Sequence, residues 1–223
     1  MRVWVLIGPP GAGKGTQAQL LSDRLGLPHV ASGDLFRTHV RDRTQLGREA
    51  QRFIKTGALV PDALTVRMVE QRLAEPDAAE GAILDGFPRT SPQAEALDAL
   101  LARRGGRVAG ALFIDVDRDV LLRRLSGRWM CRLTDEHVYH EQARPPRRRG
   151  LCDVDGAELY QREDDLPATV QARLERQLPP MFEVVDYYKE QGLLSTVDGD
   201  QPVGEVTEAL LRVIRPNNAV PAA

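Results

Sequence analysis

Lysine is almost missing from this sequence. Lys14, Lys55 and Lys189 are the only three, and every other residue among the 30 lysines and arginines is arginine. Composition bias explains part of this. Phosphate recognition explains another part, because a guanidinium fork grips two phosphate oxygens where an ammonium acts as a point charge. Long apolar runs are also missing. None approaches the roughly 20 residues a helix needs to cross a bilayer, so the chain is read as having no membrane partner. The apolar start, Met1 to Gly8, runs into a glycine-rich loop and not into a small-residue cleavage site. It therefore reads as a buried strand, and the chain as cytoplasmic. Cysteine is limited to Cys131 and Cys152. In that compartment two cysteines point to thiols or metal ligands before a structural disulfide. The net charge of −2 gives no basic field for nucleic acid. No internal repeat is visible.

What is present suits one globular unit of 223 residues, 42% hydrophobic, carrying small inserted lobes. Arg2–Gly8 is a continuous β-branched run, as in a central parallel strand covered on both faces. Lys14–Leu25 has apolar residues at helical spacing and stops at Gly26. Further strands are expected at His29–Ala31, Ala82–Leu84, Gly110–Val116 and Leu194–Val197. Helices are expected between them, with a long one from Pro167 to Gln191 kinked at Pro179-Pro180, and a last one over Val203–Ile214. This alternation predicts an α/β fold: a doubly wound parallel sheet of five strands with helices on both faces. The core comprises residues 1–31, 61–126 and 166–214. Two stretches interrupt it, a helical lobe at 32–60 and a polar, turn-rich lobe at 127–165. Residues 215–223 read as a flexible tail.

Gly8-Pro9-Pro10-Gly11-Ala12-Gly13-Lys14-Gly15-Thr16 carries the decisive chemistry. It fits G-x-x-x-x-G-K, with Gly15 where Ser or Thr is commoner and Thr16 one step later. It follows a strand and opens a helix, the context a P-loop requires. Its glycines let backbone N–H groups converge on phosphates, and the helix N-terminus adds positive charge. Lys14 can reach the β and γ phosphates, and the Thr16 hydroxyl can assist phosphate or Mg²⁺. A loop of this kind alone does not separate a kinase from a GTPase, an ATPase or a silent binding module.

Gly8–Gln17, Ser32–Arg37, Gly57–Val60, Asp85–Arg89 with Gln93, Gly127-Arg128, Val138-Tyr139-His140, Arg162-Glu163-Asp164-Asp165 and Arg173 occur in one order along the chain. That series resembles the long-lid adenylate kinases, within the P-loop nucleoside monophosphate kinase family, over nearly the whole length. The resemblance implies a monomeric enzyme that passes a phosphoryl group from ATP to AMP, with Mg²⁺. It implies ATP contacts at Gly11, Ala12, Gly13, Lys14, Gly15, Thr16, Arg124, Arg128, Val138, Tyr139 and, through backbone, Gln201. It implies AMP contacts at Ser32, Arg37, Gly57, Ala58, Leu59, Val60, Gly86, Phe87, Pro88, Arg89, Gln93, Arg162 and Arg173. Lys14, Arg89, Arg124, Arg128, Arg162 and Arg173 would surround the transferring group. Val138-Tyr139 would cover the adenine of ATP, with His140 packed nearby. Asp164 and Asp165 would end the 127–165 lobe, the lid, and pair with arginines in one of its two states. The 32–60 lobe would hold AMP. The family often has Thr where this chain has Ser32. Taken singly, each arginine is equally a solvated helix-face charge, but Arg89 follows Gly86-Phe87-Pro88 just past a strand's carboxyl end, where open α/β sheets bind ligands. Asp85 ends that strand and would hold Mg²⁺ through water, its other role being a helix N-cap. An anionic acceptor needs no general base, and no His/Asp pair offers one.

The lid departs from the family's zinc-binding pattern. The four ligand positions hold Cys131, Thr134, Cys152 and Asp155, and Thr134 is a poor ligand. Asp135 or His137 can substitute, since the loop is one residue longer than usual. Three readings stay open: structural zinc, a polar staple of buried thiols and hydroxyls, and a Cys131–Cys152 disulfide. The donor count weighs against zinc. Two other functions also stay open: a monophosphate kinase for GTP with AMP or for UMP/CMP, and a nucleotide-dependent switch without transfer activity.

Overall fold

The computed structural model describes residues 1–55, 60–134, 137–162 and 165–215. Five strands, β1 (Arg2–Ile7), β2 (His29–Ala31), β3 (Gly81–Asp85), β4 (Arg107–Asp115) and β8 (Leu194–Asp198), form one sheet in the order β2-β3-β1-β4-β8. All its pairings are parallel. Three short strands, β5 (Arg128–Cys131), β6 (Val138–His140) and β7 (Leu159–Tyr160), form a separate antiparallel sheet in the order β6-β5-β7. The helices are α1 (Lys14–Leu25), α2 (Ser32–Arg41), α3 (Gln45–Lys55), α4 (Asp62–Arg72), α5 (Ser91–Arg103), α6 (Arg118–Ser126), α7 (Pro167–Glu190) and α8 (Val203–Ile214).

Alternation along the central strands builds two cores. Val3, Val5 and Ile7 of β1, Ala82 and Leu84 of β3, and Ala111 and Phe113 of β4 point to one face. There they meet Val69 and Leu73, Leu97 and Leu101 of α5, and Val184 and Tyr188 of α7. Leu6, Ile83, Leu112 and Ile114 point to the other face and meet Leu21 of α1, Leu121 and Leu125 of α6, and Leu210 of α8. Successive residues of a strand face opposite ways, so a sheet covered on both sides must be apolar at every position. That is why these strands read as unbroken apolar runs. The sheet order crosses from β2 and β3 on one side of β1 to β4 and β8 on the other. Parallel pairing brings every carboxyl end to one edge, where the chain leaves β1, β2 and β3 toward the candidate site.

The long helix expected from Pro167 is α7. It runs as one helix through Pro179 and Pro180. Its first half packs Val170 and Leu174 in one core and its second half packs Val184 and Tyr188 in the other, so burial along its length holds it. The lobe at 127–165, expected to be turn-rich, carries a small sheet whose strands of two to four residues are too short for alternation to register. The tail beyond Arg215 lies outside the described residues. No helix among the described residues is long and apolar enough to cross a membrane.

Leu97 is wholly buried against the central sheet. Leu97→Ala should lower stability by about 2–5 kcal/mol, read as a lower urea midpoint with an unchanged slope.

Candidate functional site

The loop between β1 and α1 turns on Gly11 (φ 86°) and Gly13 (φ 88°), both in the left-handed region that glycine enters without a Cβ clash. A Cβ on Gly11 would also stand 2.9 Å from the Leu125 side chain. Gly13 caps α1 with no side-chain partner, so the first N–H groups of the helix face the loop's hollow. Lys14 curls over that loop, its Nζ donating to the carbonyls of Gly8 (2.8 Å) and Pro9 (3.0 Å). Burial pushes its pKa down to about 8; Asp85 acts against this, while Arg89, Arg173 and Arg128 add to it. Ala12 is buried and Thr16 is exposed. Gln17, the last residue of the motif, braces the fold. Its Nε2 donates to the Val203 carbonyl and its Oε1 accepts from Thr207, tying α1 to α8.

Asp85 stands at the end of β3, beneath the loop. A Cβ on Gly15 would lie 3.5 Å from Asp85 Oδ2, which measures how closely the carboxylate approaches the start of α1. Burial opposes its charge, but His29 and Lys14 outweigh burial and hold its carboxyl below the usual carboxylate range. An ionised carboxylate at this place suits water-mediated Mg²⁺.

Gly86 (φ 70°) organises the next turn. A Cβ there would stand 2.9 Å from both Ser32 Oγ and an Arg89 nitrogen. Ser32 Oγ donates to the Gly86 carbonyl at 2.6 Å, and Arg89 Nε donates to the same oxygen at 2.7 Å. Phe87 is buried in the core beneath the turn. Arg37 pairs with Asp34 one turn earlier on α2. Val60 packs with Ala50 and Leu64. Gly57, Ala58 and Leu59, expected to line the same side, lie outside the described residues. Gln93 is 1% exposed, and both ends of its amide are engaged by Arg89 and Asp62.

One cleft is lined by Gly8, Lys14, Gly86, Pro88, Arg89 and Arg173, with Gln177 and Met181 of α7 at its wall. Beside it Asp165, 0% exposed, joins two of the expected arginines. Arg128 Nε and a terminal Arg128 nitrogen each donate to it at 2.7 Å, and Arg173 donates at 2.9 Å. Arg128 opens β5 and Arg173 sits on α7, so this one carboxylate links the small sheet to the core. The expected arginine pairing is thus present at Asp165, and Asp164 lies outside the described residues. Arg162 is half-buried just before this point, its carbonyl accepting from Asp165 N–H. Arg124, on α6, donates to the Gly199 carbonyl at 2.9 Å, beside Gln201, whose amide holds Asp198.

The ring of Tyr139 is not placed to cover a base. It is 3% exposed inside the small sheet's own core, with its oxygen accepting from Asp153 N–H at 2.7 Å and lying 3.5 Å from Cys152 Sγ. Val138 beside it is half-buried. His140 anchors a turn. Its Nδ1 accepts from the N–H groups of Gln142 and Ala143, which leaves Nε2 to donate to the Arg123 carbonyl at 3.1 Å. The ring lies against Gly127, where a Cβ would collide with it.

In the same lobe Cys131, His137, Cys152 and Asp155 bring four donor atoms within 4.8 Å of one another. Cys131 Sγ and His137 Nδ1 lie 3.2 and 2.9 Å from Asp155 Oδ2, and Cys152 Sγ lies 3.3 Å from His137 Nδ1. Zinc bonds of about 2.0–2.3 Å set tetrahedron edges of about 3.3–3.8 Å, so this two-sulfur, one-nitrogen, one-oxygen set suits that ion. His137, one of the two residues expected to substitute for Thr134, is the fourth member of the set. Thr134 instead turns its backbone N–H to the Cys131 sulfur, as Leu133 does at 3.3 Å. Asp135 lies outside the described residues. Both cysteines are free thiols. The Ala157 N–H, then Cys152, Cys131 and His137, hold the Asp155 carboxyl down at about 2.

Two neighbours of the site carry no motif signal of their own. His29 Nε2 is buried without a hydrogen bond, 3.6 Å from Asp85 Oδ2. Asp62 opens α4 and reaches Thr90 and Gln93. Only the pairing of β2 with β3 and the approach of α4 to α5 disclose them.

The adenylate kinase family matches residues 6–193 of this chain. Similar proteins named adenylate kinase come from Streptomyces avermitilis (45% identical over 98% of this chain and 99% of the relative), Moorella thermoacetica (47%, over 94% and 96%) and Listeria innocua (46%, over 91% and 94%). With a phosphate loop, a second turn at β3 and a small sheet joined to α7 through Asp165, and with a match running through all three, the chain belongs to the adenylate kinase family of phosphotransferases.

Proposed function

We propose that this chain transfers the terminal phosphoryl group of ATP to AMP, reversibly, giving two ADP. The observation that carries this is the convergence of Lys14, Arg89 and Arg173 on one cleft at the carboxyl ends of parallel strands. A cleft so rich in cations suits two facing polyphosphates. The acceptor phosphate is already an anionic nucleophile, so positioning and charge stabilisation suffice. In this reading the loop N–H groups and Lys14 hold the ATP phosphates, and Asp85 orients waters on Mg²⁺. That ion would neutralise charge between the phosphates when bound. Arg37 and Arg89 hold the AMP phosphate, and Gln93 meets its base. Residues 127–165 act as a lid and residues 32–60 as the AMP lobe. Lid closure brings Arg124, Arg128 and Arg162 over the reacting phosphates and excludes water. Arg128 and Arg173 then exchange some of their hold on Asp165 for phosphate oxygens.

We also infer that Cys131, His137, Cys152 and Asp155 hold one structural zinc ion, whose role is to fix the lid's two hairpins together. The supporting feature is the donor geometry, with the Leu133 N–H directed at one sulfur.

Mixing the protein with ATP, AMP and Mg²⁺ should yield ADP in a coupled assay, and no ADP would refute the reading. Arg89→Ala should lower kcat/KM for AMP by at least about a hundredfold while the Kd for ATP stays near wild type. Equal loss for both nucleotides would contradict the assigned role. In pH profiles, kcat/KM for ATP should fall as pH rises through about 8, because free-enzyme Lys14 loses its charge there. Bound polyphosphate favours the cation, so kcat should hold to higher pH. Metal analysis should find close to one zinc per chain, lost in His137→Ala and kept in Thr134→Ala. Chelation should lower the Tm of the wild type.

A further inference from the structure

The Gln93 amide is held by two groups that cannot exchange places. The backbone N–H of Arg89 meets one end at 2.8 Å and the Asp62 carboxylate meets the other at 2.6 Å. An N–H only donates and a carboxylate only accepts, so the first end is the amide oxygen and the second is the amide nitrogen. A flipped amide would set N–H against N–H and oxygen against carboxylate. Asp62 is itself held, by the Thr90 hydroxyl at 3.1 Å, and Thr90 caps α5 at the turn that carries Gln93. The amide is 1% exposed, so water cannot replace a lost partner freely.

We propose that Asp62 is the residue that sets base selection at the acceptor site, by locking the Gln93 amide in the orientation that reads adenine. This rests on the reading that Gln93 meets the AMP base. Each end of the amide has capacity for one more hydrogen bond: Oε1 can accept again and Nε2 can donate again. Adenine offers the complement, a ring nitrogen that accepts beside an amino group that donates. Hypoxanthine and guanine carry an oxygen at that amino position. Their oxygen would face Oε1, and only a flipped amide relieves that contact. With Asp62 in place the flip costs a charge-assisted hydrogen bond as well as the Arg89 bond. Specificity therefore comes from the unpaired group a wrong base would leave. Asp62 is a positioning residue, acting on the base through Gln93.

The test is Asp62→Asn, which keeps the shape and the Thr90 contact but can either donate or accept. The ratio of kcat/KM for AMP over IMP should fall about tenfold, as expected for loss of one charge-assisted bond, while KM for ATP stays within twofold. Calorimetric Kd values for AMP and IMP should show the same convergence without turnover. Asp62→Glu, which is again only an acceptor, should recover part of the discrimination. An unchanged AMP-to-IMP ratio in Asp62→Asn overturns the proposal. So does a rise in KM for ATP that parallels the one for AMP, which would mark a structural role. Equal use of AMP and IMP by the wild type would also overturn it. Failure of the wild type to make any ADP would instead strike the functional reading beneath it.

Discussion

Like charges crowded at one end of a sheet are the constraint on which the rest of this structure depends. The parallel strands β1 and β3 lead to Lys14 and Arg89, α7 brings Arg173 to the same cleft, and Arg128 approaches from the small sheet. Without nucleotide these cations repel one another. Burial and the three guanidinium groups together push the Lys14 ammonium toward its neutral form. The molecule contains the excess with few anions. Asp85 faces Lys14 beneath the loop, and Asp165, fully buried, takes two arginines at once. Loop and turn carbonyls accept from Lys14 and Arg89. The neutral carbonyls are weaker partners for these cations than a phosphate oxygen would be.

Asp165 has a second consequence. A buried carboxylate with three charge-assisted bonds is costly to leave unpaired. It ties Arg128, at the root of the small sheet, to Arg173 on α7. Movement of the small lobe therefore bears on the cleft: any displacement that draws Arg128 away removes two of the hydrogen bonds on Asp165 and leaves Arg173 to hold it. The lobe is small and stiffened from within by its three-stranded sheet, by Tyr139 on Asp153 and by the four-donor cluster. Its core is a cluster separate from the two that build the main sheet.

How far the site could be read beforehand varied with how local each signal was. The phosphate loop, the turn from Asp85 to Arg89 and the positions of the main strands depend on neighbours in the chain. Glycines in left-handed conformation and unbroken apolar runs leave their mark within a few residues. The small sheet escaped because strands of two to four residues carry too little alternation. The fourth lid donor depended on how the loop from Thr134 to His137 is threaded, and its spacing alone left three candidates. The resemblance gave Tyr139 a place over the adenine, but its ring fills the core that lobe has among the described residues.

By itself the sequence determined the alternation of strand and helix, the phosphate-binding loop, the arginine inventory and the family, since each is encoded by adjacent residues or by an ordered series of motifs. The tertiary structure alone decided which carboxylate holds which arginine, which nitrogen faces the lid thiols, and that Asp62 grips Gln93 from another helix. Those choices depend on pairs separated by up to several tens of residues, brought together only when the sheet is wound and its helices dock. Hydrogen bonds across such gaps have directions that no spacing along the chain can state.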